Sequence, residues 1–117
     1  MRRIVLVTVV VSLASLGAAC SSSGPSGPTC DSPTKTTEVD MQNMAFTPSC
    51  ISATANDTLN LVNKDTTEHT FTVKGTSINV TIEGGQTATA PLTGLAPGTY
   101  SVTCQFHSQM TETMQVT

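Results

Sequence analysis

From about Thr36 onward, apolar side chains recur at every second residue, and no stretch keeps a 3.6-residue period. Leu59 and Leu61, Phe71 and Val73, and Ile78, Val80 and Ile82 alternate with polar neighbours. So do Tyr100, Val102 and Cys104, and then Met114 and Val116. A period of two puts one side-chain set on each face of a strand, so each run reads as a half-buried β-strand. Asn56-Asp57, Asn63-Lys64-Asp65, Gly75, Gly84-Gly85 and the segment Gly94 to Gly98 break the runs apart. About eight short strands are expected, near 36–42, 49–54, 58–63, 69–74, 78–82, 86–90, 99–104 and 112–117. That number and spacing predict an all-β fold, an antiparallel Greek-key β-sandwich.

The first residues read differently. Arg2 and Arg3 precede an apolar run from Ile4 to Ala19. Sixteen residues fall short of the roughly 18–20 that cross a bilayer as a helix. A charged start, a short apolar core and small residues at its end describe a secretory signal peptide, residues 1–19. Leu16-Gly17-Ala18-Ala19-Cys20 resembles a bacterial lipobox, with Gly17 where that motif usually carries Leu. On this reading Cys20 is lipidated and anchors an exported protein to a membrane. The other reading is ordinary cleavage after Ala19, leaving a free thiol. Residues 20–35 are dominated by Ser, Gly and Pro and are expected as a flexible tether. The working domain is then 36–117.

A domain of about 80 residues buries only roughly 60–65% of its unfolded surface, so a staple would help. Cys30, just before the first strand, and Cys50, opening the second, can supply one. A bridge across about 20 residues is worth about 3 kcal/mol, and an oxidising compartment permits it.

Charge excludes one class of partner. Residues 20–117 keep only Lys35, Lys64 and Lys74 against eight Asp and Glu, a net charge of −5. Nucleic-acid binding needs clustered Lys and Arg, which the chain lacks.

Cys104 and the chain's two histidines remain. Cys104 ends a strand, His107 follows at +3 and Met110 at +6, and the last strand comes next. His69 begins the strand after the 63–68 turn. Singly, each has an ordinary explanation as a core or surface residue. Together they make a thiolate, two imidazoles and a thioether that can meet at one end of a sandwich. Such a donor set suits copper cycling between +1 and +2, in a His₂Cys plane with a weak axial Met.

At this point the chain resembles the cupredoxins, small blue-copper proteins. The resemblance covers about residues 39–117. It is carried by Phe46-Thr-Pro48, by Asn63-Lys-Asp65 leading to His69-Thr-Phe71, by Leu95-Ala-Pro-Gly-Thr-Tyr100 and by Cys104-x-x-His107-x-x-Met110. It implies His69, Cys104 and His107 as equatorial ligands of one copper ion, with Met110 axial. The family commonly has Gly two residues after the axial Met, where this chain has Glu112. By the same analogy the edge of His107 sits in an apolar docking patch, for which Phe106, Met44 and Ala45 are candidates. Thr70 is the candidate to hydrogen-bond near the sulfur, while Met41 is left as packing or surface.

The function implied is a monomeric, membrane-anchored, periplasmic or cell-surface electron shuttle rather than an enzyme. Its partner would be a redox protein such as a cytochrome, an oxidase or a dehydrogenase. Two histidines cannot also build an oxygen-reducing copper cluster, and a Ser/His/acid set would take a His from the site. Two alternatives use the same residues: a copper-sequestering or delivering lipoprotein, and a zinc or metal-free interaction module.

Overall fold

The computed structural model describes residues 30–117. The signal peptide expected at 1–19, the lipidated Cys20 and most of the tether lie outside the described residues. Ten strands are present: β1 (Thr34–Lys35), β2 (Glu38–Gln42), β3 (Ala45–Thr47), β4 (Cys50–Ala53), β5 (Thr58–Asn63), β6 (His69–Val73), β7 (Asn79–Ile82), β8 (Thr87–Pro91), β9 (Gly98–Thr103) and β10 (Thr111–Val116). They form two sheets, ordered β1-β4-β10-β9-β6-β7 and β3-β2-β5-β8. The protein is an all-β sandwich with Greek-key topology, as the alternation predicted.

Eight of these strands lie where the period-two runs placed them. The other two, β1 and β3, are two and three residues long. Thr34 and Lys35 fall within the stretch expected as tether, and instead pair with Ile51 and Ser52 of β4. Cys30 and Cys50 are joined by a disulfide, with Cα atoms 5.4 Å apart, which pins this lead-in segment to the sheet. Three pairings are parallel rather than antiparallel: β1 with β4, β10 with β4, and β2 with β5. A chain that passes from one sheet to the other between neighbouring strands can bring them in with the same direction.

The inward residues of both sheets make one core. Val39, Met41, Leu59 and Leu61 come from the smaller sheet. Ile51, Phe71, Val73, Val102, Met114 and Val116 face them from the larger one. Phe46 meets Phe71 edge to face with ring centroids 5.9 Å apart, a favoured aromatic geometry. Met41, left open as packing or surface, is fully buried.

One close approach requires glycine. A Cβ on Gly84 would overlap the Thr66 carbonyl, so the β7–β8 turn can lie against the loop between β5 and β6 only with Gly there. That loop crosses from the smaller sheet to the larger and delivers His69.

Candidate metal centre

In the larger sheet β9 lies between β6 and β10 and runs antiparallel to both. The end of β9 therefore shares one edge of the sandwich with the starts of β6 and β10. Cys104 directly follows β9, His69 opens β6, and Met110 directly precedes β10. The loop between Cys104 and Met110 closes on itself. The Cys104 N–H donates to the Met110 carbonyl at 3.1 Å, and the Met110 N–H donates to the His107 carbonyl at 3.0 Å.

This closure gathers three donor side chains. Cys104 Sγ lies 3.9 Å from His69 Nδ1 and 3.5 Å from His107 Nδ1. One donor atom from each of the three lies within 4.8 Å of the others, a set capable of metal coordination. The two imidazoles meet edge to face with centroids 5.0 Å apart. His69 and Cys104 are buried, while His107 is partly exposed. Met110, on the same loop, is buried as well.

The surroundings favour a thiolate. Burial alone would push the Cys104 thiol up. The Thr70 N–H, the His107 ring, the Phe106 N–H and the His69 ring outweigh burial and bring it from 9.0 down to about 6. Thr70 does act at the sulfur, but through its backbone, whose N–H points at Sγ from 3.4 Å. Its hydroxyl accepts the Gln105 N–H at 2.8 Å and so holds the start of the loop.

Behind His69 stands Asp65. Its Oδ2 lies 2.8 Å from His69 Nε2 and accepts the Met44 N–H at 3.0 Å, while Oδ1 accepts the Asn43 N–H at 2.8 Å. The Met44 N–H is the largest influence holding this carboxyl below its ordinary range, with His69 and Asn43 adding to it. Buried Asn63 fixes the loop that carries Asp65. Its side-chain N–H₂ reaches the carbonyls of Thr67 at 2.8 Å and Ile82 at 2.9 Å, and its Oδ1 accepts the Asp65 N–H at 3.0 Å.

Outside His107 lies an open depression of about 480 Å³, lined by Asn43, Met44 and the segment from Phe106 to Met110. Among the described residues no charged side chain lines it. Met44 and Phe106 are the large apolar side chains exposed there, at 48% and 56%, and Ala45 is exposed beside Met44.

A family model described as a cupredoxin-like domain matches residues 4–116. The chain belongs to that family. No curated protein matches it. Among solved structures it is similar to an oxidised amicyanin variant, at 20% identity and TM-score 0.59, over 68% of this chain and 80% of that one. The Cu(I) form of another amicyanin variant matches at 18% identity and TM-score 0.60, over 74% and 87%. A Cu-containing nitrite reductase from Thermus scotoductus matches at 20% identity and TM-score 0.58, over 74% of this chain and 22% of that one. At these identities the likeness is one of fold.

Within this cupredoxin-like domain, three of the four residues singled out as ligands, His69, Cys104 and His107, converge, and Met110 closes the loop they share. Asp65, Asn63 and Glu112 were not assigned roles from sequence. Glu112 stands two residues after Met110, at an inward position of β10 opposite Val102. It is buried, and neither carboxyl oxygen has a hydrogen-bond partner among the described residues. Burial pushes it from 4.5 up to about 8. The strand nonetheless starts at Thr111 and keeps its register on β9, so a residue other than Gly is accommodated at this place. For Asp65, the available signal was an acid four residues before a buried His. For Glu112, it was a charge in register with Met114 and Val116.

Proposed function

We propose that the protein is an exported type 1 (blue) copper protein that carries single electrons between redox partners, and is not an enzyme. The observation that carries this reading is the convergence of a low-pKa thiol and two imidazoles at one sheet end, with one imidazole partly exposed. The donors fit copper: thiolate, imidazole and thioether are soft to borderline, and a His₂Cys set with an axial Met is the electron-transfer arrangement. Among the described residues no other such group of three His, Cys, Asp or Glu occurs.

His69, Cys104 and His107 would hold the ion, with the Met110 thioether as a candidate fourth donor. Copper, when bound, would supply a one-electron couple between Cu²⁺ and Cu⁺. Cys104 would bind it as thiolate, the form that the Thr70 N–H and both imidazoles already favour. Three adjoining strands fix the donors, so little rearrangement need accompany a change of charge. Buried His69 keeps water from one side, and His107 offers its ring to the depression where a partner docks. The uncharged rim of Met44, Ala45 and Phe106 would give contact without salt bridges. The net charge of −5 on residues 20–117 would steer basic faces toward the protein at longer range.

Residues 1–19 would direct export, and a lipid on Cys20 would hold the protein at a membrane facing the periplasm or cell exterior. Among the described residues no helix is long and apolar enough to cross a membrane. The Cys30–Cys50 disulfide supports an oxidising compartment. The copper domain would begin at Cys30, with the tether before it, and act as a monomer on a cytochrome, an oxidase or a dehydrogenase.

Voltammetry combined with a Cu(I)-chelator challenge tests the shuttle. A reversible one-electron couple with fast self-exchange, and copper retained against the chelator, is expected. Ready surrender of copper without a reversible couple would make the protein a copper carrier instead.

A further inference from the structure

Two backbone N–H groups, of Asn43 and Met44, and the His69 Nε2 converge on the Asp65 carboxylate from two separate parts of the chain. An ionised carboxylate only accepts hydrogen bonds. His69 must therefore carry its proton on Nε2, which leaves the Nδ1 lone pair facing Cys104 Sγ, 3.9 Å away. The opposite tautomer would set a lone pair against the carboxylate and a proton against the donor cluster.

The same carboxylate shapes the surface. Asn43 and Met44 are the two-residue turn of the β2–β3 hairpin, between the paired residues Gln42 and Ala45. Both have positive φ, 55° and 59°. Such a turn favours Asn and Gly, and for a residue such as Met the left-handed region is unfavourable. Nothing in the Met44 side chain offsets that cost, whereas the two N–H bonds to Asp65 do. The turn in turn sets out Met44 beside the depression next to His107. Asp65 is not a loose surface arm. Its N–H is held by Asn63, and its carbonyl accepts the Gly85 N–H at 2.9 Å.

We propose that Asp65 is a positioning residue that joins the buried ligand His69 to the exposed Asn43–Met44 turn, so that one carboxylate sets both the imidazole's orientation and the shape of the docking surface. The word ligand rests on the blue-copper reading; the positioning of the ring and the turn does not. A partner pressing on Met44 would then act on two N–H groups that share their acceptor with His69. A carboxylate behind an imidazole also makes it a stronger donor, and removing such a group commonly costs 10–100-fold in metal affinity.

The test compares Asp65→Asn with Asp40→Asn. Asp40 pairs with Lys64 at 2.6 Å on the neighbouring β2, so its loss changes the local charge equally without touching His69. In metal-free protein, ¹⁵N NMR should show a single Nε2–H tautomer for His69 in the wild type and in Asp40→Asn, and a mixture in Asp65→Asn. Exchange of the Asn43 and Met44 amides should rise about tenfold in Asp65→Asn alone. With copper, the Cu²⁺-to-Cu⁺ affinity ratio should fall about tenfold in Asp65→Asn, a rise of about 59 mV in potential, and less in Asp40→Asn. Should Asp65→Asn not fold, Asp65→Glu keeps a carboxylate and should preserve the wild-type tautomer. An unchanged tautomer and unchanged amide exchange in Asp65→Asn overturn the proposal, as does a mixed tautomer in Asp65→Glu. Equal potential shifts in the two Asn variants also overturn it, because charge alone would then account for them. A wild type that forms no coloured Cu²⁺ complex defeats the copper reading instead, and the metal-free measurements still decide the role of Asp65.

Discussion

The Thr70 backbone N–H points at the Cys104 sulfur from 3.4 Å. Thr70 follows His69 in β6, so the strand that delivers one imidazole also delivers the amide that steadies the thiolate. The pairing of β6 with β9, Val73 opposite Val102, carries that contact. No substitution but proline removes a peptide N–H, which makes this part of the site a property of the sheet.

The metal-free protein should accordingly show a thiol that ionises near pH 6. Following the thiolate absorbance near 240 nm against pH should give one transition with its midpoint about 6, rather than near the ordinary 9.0. Because the folded value is the lower one, Cys104 adds stability above pH 9, and that stability is lost as pH falls through about 6. A midpoint above 8 would contradict the hydrogen-bonding account of the sulfur.

Glu112 should act in the opposite sense. Its folded value of about 8 lies above the unfolded 4.5. The stability linked to its protonated form is complete below pH 4.5 and is lost as pH rises to about 8. Glu112→Gln removes this dependence. Denaturant unfolding at several pH values should show the variant gaining on the wild type by several kcal/mol between pH 4.5 and 8, at about 1.4 kcal/mol per unit. A difference between the two that stays constant with pH would contradict the buried carboxyl, unpartnered among the described residues.

Much of the fold was legible because Leu59, Leu61, Phe71, Val73, Val102 and Met114 alternate with polar neighbours, and a half-buried strand leaves that trace. The strand at Ala45–Thr47 left none, since Phe46 is its single buried residue and Pro48 follows it. Thr34 and Lys35 pair at an edge with both side chains exposed, so composition marked them as tether. At the site, His69, Cys104, His107 and Met110 stand out by residue type. Asn63 and Asp65 stand out only as part of the motif leading to His69, without a role, because a polar pair at a strand end looks like ordinary turn chemistry until the chain closes around it. Their roles depend on contacts with residues about twenty positions away, Asn43 and Met44 on one side and Ile82 on the other.

The disulfide and the donor cluster should be separable. Cys30→Ala should cost about 2–5 kcal/mol of stability and leave the copper-loaded spectrum nearly intact. Thermal unfolding and the visible spectrum check the two halves. Loss of the spectrum in a folded Cys30→Ala protein would mean that the wrong thiol had been assigned to the metal.

Met110→Leu should keep the colour and raise the reduction potential. If Met110 is a donor, loss of its thioether would weaken the hold on Cu²⁺ more than on Cu⁺, by about 59 mV for each tenfold change in their ratio. A potential equal to the wild type's would remove Met110 from the axial position.

Addition of Cu²⁺ to the purified protein tests the central claim most directly. An intense blue or green thiolate-to-copper band should appear at one equivalent of copper, and Cys104→Ser should abolish it. A colourless wild-type complex, or a band that survives in Cys104→Ser, would contradict the assignment of His69, Cys104 and His107 as a blue-copper site.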